Sequence, residues 1–208
     1  MSATGAQAPL RPRKLPSQAR SAVTVNAIVE ATVRVLLAEG YARLTTRRVA
    51  EVAGVSVGSL YQYFPNRRSL VAEVIRRKVD GSVRCLEEAS ARADGPVAEA
   101  VASVMAAFAA EKRRGLALTV ALRDPKAELE WRRALADGAR RAEGVLAGLL
   151  ARLLSRPLSA AETARLSLAI AALEGAVATA AERDPQAFAD PGFGALLARV
   201  LLGALDIG

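Results

Sequence analysis

Apolar residues recur every three or four positions along most of this chain, in blocks that glycine, proline and aspartate punctuate. Such a period matches the 3.6-residue turn of an amphipathic helix. Ala22, Val25, Val29, Val33 and Leu36 form the first stripe, predicting a helix from Ser17 to Glu39 that Gly40 stops. Thr45 and Thr46 open a second run through Val49, Ala50 and Ala53, ended by Gly54. Val55 plugs the turn, and Ser56 caps a third helix carrying Leu60, Tyr61, Tyr63 and Phe64 up to Pro65. Asn66 caps a long fourth helix through Leu70, Val74, Ile75, Val79, Val83 and Leu86, which ends before Asp94-Gly95-Pro96. Further helices are expected over Val97–Lys112, over Gly115–Arg123, from Asp124-Pro125 to Leu154, from Ser159 to Glu182 and over Phe193–Leu205. No run alternates with period two, so the fold class is all-α with about nine helices.

The pattern also predicts the organisation. Residues 1–16 read as a disordered basic tail with Pro9, Pro12 and Pro16 beside Arg11, Arg13 and Lys14. Residues 17–65 form a three-helix domain, and residues 66–208 a larger helical one. Composition agrees: 46 of 208 residues are Ala and aromatics make up 4%. Ala is the strongest helix former.

Charge separates the two domains. Residues 1–80 hold 13 Lys/Arg and 5 Asp/Glu (13 − 5 = +8), whereas residues 81–208 hold 16 of each sign. The whole net charge of +8 therefore sits in the first part, which points to a polyanionic partner there. Two short helices joined by a Gly-containing turn, Thr45 to Phe64, form a helix-turn-helix whose second helix can enter the DNA major groove.

Other chemistry is sparse. Cys85 is the only cysteine and there is no histidine, which excludes an internal disulfide and a Cys/His zinc site. No Ser-His or Cys-His pair, phosphate-cradling glycine loop or metal-type carboxylate cluster is present, so the chain does not read as an enzyme and implies no cofactor. Gly192 and Gly194 lack the third glycine of a dinucleotide motif, and Gly144 and Gly148 are read as marks of close helix packing. Residues 1–20 are Pro-, Arg- and Ala-rich without a basic-then-apolar pattern, so a secretory signal is not expected, and Leu166–Ala181, broken by Glu174, is read as too short to span a bilayer.

Residues 18–75 resemble the DNA-binding domain of the tetracycline-repressor (TetR) family of bacterial regulators. The pattern stands here as Ala31, Leu36-Leu37, Gly40-Tyr41, Leu44-Thr45-Thr46-Arg47, Val49-Ala50, Ala53-Gly54-Val55-Ser56, Gly58, Leu60-Tyr61, Tyr63-Phe64, Asn66-Arg67 and Leu70. Val57 departs from it, standing where many members carry a polar or basic side chain, and Arg67 stands where Lys is usual. The resemblance implies a cytoplasmic protein, at the nucleoid when bound to DNA. It implies a repressor on a pseudo-palindromic operator. An activator, or a ligand-independent nonspecific or architectural DNA binder, is the alternative. Thr46 would touch the backbone, and Tyr61, Tyr63 and Arg67 would hold phosphates. Arg47 suits guanine O6 and N7, Gln62 a base edge, Val57 a thymine methyl, and Gly58 and Ser59 a close approach in the groove.

One helix-turn-helix reads a half-site, so a twofold homodimer on double-stranded DNA is expected. Its interface is assigned to the last two helices: Leu166, Ile170, Leu173 and Val177, with small Ala171, Gly175 and Ala178, and then Leu197, Val200, Leu201 and Leu205. By the same resemblance, helices four to seven enclose a site for an unknown small hydrophobic effector, with Cys85, Met105, Phe108, Leu118, Leu122 and Trp131 as candidate lining. Glu174 lies amid apolar residues, and the sequence leaves open whether it faces that site, pairs across the dimer or reaches solvent.

Overall fold

The computed structural model describes residues 19–122 and 128–206. Among them are nine α-helices: α1 Ala19–Arg43, α2 Thr46–Ala53, α3 Val57–Tyr63, α4 Arg67–Arg92, α5 Val97–Arg114, α6 Leu116–Ala121, α7 Glu128–Leu153, α8 Ala160–Arg183 and α9 Phe193–Leu205. The expected tail and the Asp124-Pro125 start lie outside the described residues, as does the side chain of Trp131. The chain divides into two compact units.

The first unit comprises the residues up to Arg77 and the stretch 121–132. Gly40 interrupts α1 at φ 76°, where the stripe predicts a stop. α2 packs on α1 and α3 on α2. Ile28, Leu36, Leu44, Val49, Leu60, Phe64 and Leu70 are fully buried here. The sequence placed the domain boundary at Pro65-Asn66, whereas the division falls after Arg77, inside α4. The first turns of α4 complete the small core with Leu70, Val71, Val74 and Ile75. Two arginines tie them down: Arg67 donates to the Leu44 carbonyl at 3.3 Å and Arg77 to the Asn26 side chain at 2.8 Å.

The second unit holds residues 78–120 and 133–208. α5 packs on α9 and α9 on α8. Gly194 permits the closest approach: a Cβ there would lie 2.6 Å from the Ala106 Cα, so α5 and α9 meet backbone to backbone. At Gly144 and Gly148, by contrast, a Cβ would meet nothing within 4 Å, which corrects the close packing read from the sequence. Ser159 caps α8 through a reciprocal box with Glu162 (3.2 and 2.8 Å). The unanticipated element is a 3-10 helix, Pro185–Ala189, whose Phe188 ring packs against Phe193 with centroids 5.0 Å apart and planes tilted by 59°. α8 is longer than its apolar run, and Ala160–Ala181 is long and apolar enough to cross a bilayer by length and composition, against the sequence reading. Its Leu166, Ala169, Ile170 and Leu173 are instead buried in the core of their own unit.

Candidate nucleic-acid interface

The α2–turn–α3 unit is locked by its caps. The Thr45 hydroxyl accepts from the Arg48 amide at 3.1 Å and the Ser56 hydroxyl from the Ser59 amide at 3.0 Å. Gly54 takes φ 68°, ψ 29°, left-handed backbone that glycine adopts without Cβ strain. The Val55 amide then reaches back to the Ala50 carbonyl at 3.0 Å, closing the helix end as a Schellman-type turn. Leu60 and Val49 are sealed inside, which fixes the rotation of α3 about its axis. The remaining face of α3 is therefore determined by elimination.

On that face Val57 (40% exposed), Gly58, Tyr61 (44%) and Gln62 are open to solvent. Arg47 is exposed on α2 and makes no hydrogen bond or ion pair among the described residues. Arg48 is committed to Glu39 (2.8 Å) and Glu51 (3.0 Å), which hold its guanidinium and raise its pKa. Thr46 and Tyr61, both expected at the DNA backbone, meet hydroxyl to hydroxyl at 3.1 Å. Such a pair suits one phosphate, beside amides at the start of α2. Ser59 is half-buried and its hydroxyl lies 2.8 Å from that of Ser56, so it serves the cap more than the groove.

Two expected phosphate contacts need correction. Tyr63 is 9% exposed, with its ring in the core, so contact with a phosphate is left to its hydroxyl. Arg67 is half-buried, stacked 4.7 Å over the Tyr41 ring while it bonds the Leu44 carbonyl. Its first task is to hold the start of α4 against the α1–α2 connection.

Among the expected effector-site residues, Met105 is buried at 2%, and Cys85, Phe108, Leu118 and Glu174 are half-buried in the second unit. Leu122 is buried and belongs to the first unit. The sequence reading missed Lys78, Ser82 and Lys112. Lys112 follows Phe108 by four residues and Met105 by seven, which puts it on the core-facing stripe of α5. Lys78 likewise follows Val74 by four on α4, and these lysines at stripe positions were the available signal. Burial, and then the nearby Lys78, lower the Lys112 ammonium to about 8. Burial also lowers Lys78, and it pushes the carboxyl of Glu174 and the thiol of Cys85 upward.

The expected interface stripe is also turned. Leu166, Ile170, Leu173, Leu197, Leu201 and Leu205 are buried in the unit's own core, and Val177 is half-buried against it. What α8 and α9 leave outside is the adjacent face: Leu168 (72% exposed), Leu196 (46%) and Val200 (42%), with exposed Ala171 and Gly175. Of the large side chains expected there, only Val200 faces outward. The small Ala171 and Gly175 are on the outer face as well, whereas Ala178 is half-buried.

Residues 28–74 match the family model described as bacterial regulatory proteins, tetR family. A nucleoid occlusion factor SlmA of Haemophilus ducreyi is 34% identical over 67 residues, 32% of this chain. That match spans about a third of the relative's own length (33%). A TetR-family transcriptional regulator from Streptomyces coelicolor superposes with a TM-score of 0.66 at 25% identity, over 90% of this chain and 98% of that one. The fatty acid degradation regulator FadR from Bacillus halodurans has a TM-score of 0.64 over 92% and 96%, and at 18% identity its likeness is one of fold. Residues 28–74 thus carry the DNA-binding domain of the tetR-type bacterial regulatory proteins, and the chain shares the fold of a TetR-family transcriptional regulator over nine-tenths of its length.

Proposed function

We propose that this chain is a cytoplasmic, sequence-specific DNA-binding regulator of transcription, a repressor that a small effector releases from its operator. The observation that carries the reading is the α2–α3 face: Arg47 without a partner among the described residues, Gln62 and Val57 exposed on α3, and the Thr46–Tyr61 hydroxyl pair. Free donors for base edges next to donors for phosphates are what direct readout requires. The charge asymmetry adds nonspecific attraction to the same part of the chain.

A dimer is proposed through the outward face of α8 and α9, where Leu168, Leu196 and Val200 project among small residues. Contiguous exposed apolar surface of this kind marks an interaction site. α4 gives Arg67–Arg77 to the first unit and Lys78–Arg92 to the second. An effector that favours one position of α4 would shift the spacing of the two recognition helices, provided it binds the two states with different affinity. The test is selection from random duplex DNA at about 150 mM salt, with sequencing of the retained fraction. A pseudo-palindrome with half-sites about one helical turn apart is expected, and recovery of weak, salt-sensitive binding without a motif would overturn the reading.

A further inference from the structure

One group of side chains in the second unit is unused by DNA binding and out of place in a purely apolar effector site. Lys112 donates to the Ser82 hydroxyl at 3.0 Å and lies 4.7 Å over the Phe108 ring. The Ser82 hydroxyl in turn donates to the Lys78 carbonyl at 3.3 Å. The Lys78 ammonium donates to the Gly115 carbonyl at 2.9 Å, and a side chain at Gly115 would collide with it. The two lysines repel each other through space.

The charges around them do not balance. Glu111, which acts on both lysines, is taken by Arg114 at 2.8 Å. Glu174 acts on Lys112 but makes no hydrogen bond or ion pair among the described residues. The Cys85 thiol donates to the Ala107 carbonyl at 3.5 Å and is neutral, its pKa raised by burial and by Glu111 and Glu88 against Arg114 and Arg92. Glu174 acts on Lys112 and Glu111 is shared with Arg114, so among the described residues the lysine pair carries an excess of one positive charge. Of their six N–H groups, two donate to protein oxygens and one can point at the Phe108 ring, which leaves three without a protein acceptor among the described residues.

The two lysines and Glu174 are half-buried, not sealed. Lys112 is nevertheless stripped of enough water to bring its ammonium to about 8. The pair is therefore desolvated and still reachable from solvent. A buried charge without a partner is costly, and a ligand that supplies one recovers that cost.

We propose that this lysine pair takes an oxyanion, a carboxylate or a phosphate, carried by an otherwise apolar small molecule, with Lys112, Lys78 and Ser82 holding the anion and Phe108 and Leu118 flanking the apolar part. The inference rests on the effector reading above and names the chemical class of that effector.

The test is titration calorimetry on the full chain at about pH 8, in two buffers of different ionisation enthalpy. The probes are alkyl carboxylates and alkyl phosphates of graded length, the matching alkanols, and inorganic phosphate. At least one anionic probe is expected to bind about tenfold tighter than its alkanol and to draw a proton onto Lys112, and carboxylate against phosphate separates the two anions. Lys112→Met should lose both the preference and the proton uptake, whereas Lys112→Arg should keep the preference without the uptake. Alkanols that bind as well as the anions, or uptake unchanged in Lys112→Met, would overturn the oxyanion and leave the effector site standing. Inorganic phosphate binding as tightly as the alkyl probes would remove the apolar part of the proposal. If no probe binds, the effector site and its oxyanion fall together.

Discussion

Lys112→Met carries the most informative stability prediction. The ammonium titrates at about 8 in the folded chain against 10.5 for the unperturbed group. That difference of 2.5 corresponds to about 3.4 kcal/mol against folding at neutral pH. Met keeps the length and the contact with Phe108 but carries no charge to desolvate. It forgoes the hydrogen bond to Ser82, about 1 kcal/mol, and the cation–π contact, roughly another 1 kcal/mol. Net stabilisation of about 1–2 kcal/mol is expected near pH 7. Because the folded pKa is depressed, the unfolded chain binds more protons between about pH 8 and pH 10.5, so wild-type stability rises with pH across that window. The advantage of the variant should therefore shrink by about 2 kcal/mol between pH 7 and pH 9.5, as its own Lys112 contribution is flat. Urea unfolding of both proteins at the two pH values measures this directly. An advantage that stays constant within about 0.5 kcal/mol would refute the buried, partly neutral lysine.

Three further outcomes follow from the same geometry. Arg47→Ala should weaken binding to the selected operator by about 1–3 kcal/mol and relax preference at one base position, with thermal stability unchanged because the exposed side chain has no partner among the described residues; unaltered affinity at fixed salt removes Arg47 from the base contacts. Arg67→Met should lower the melting temperature, since a charged hydrogen bond to the Leu44 carbonyl and the Tyr41 stack together contribute about 2–3 kcal/mol; weakened DNA binding in a fully stable variant would show that its main role is at the phosphate after all. Leu168→Arg should leave the chain folded and shift it from dimer to monomer in sedimentation, whereas Leu166→Arg should unfold it by burying a charge; a dimer that survives Leu168→Arg places the interface elsewhere.

The sequence by itself determined the elements. Periodicity and caps placed the helices to within a few residues, because Gly40, Gly54, Ser56, Asn66 and Ser159 act through backbone torsion and local hydrogen bonds that need no distant partner. It likewise marked out Arg47, Val57, Gly58, Tyr61 and Gln62, which the structure leaves exposed on α2 and α3. Only the tertiary structure decided which apolar positions of α8 and α9 face inward, since Leu166 and Leu168 lie on nearly opposite sides of α8 and both are leucine. It also decided that Arg67 braces α4 and that Lys78 and Glu174, 96 positions apart (174 − 78), both act on Lys112. Helical pattern is a local property of the chain, whereas burial and charge balance depend on which helix packs beside which, and no local signal encodes that.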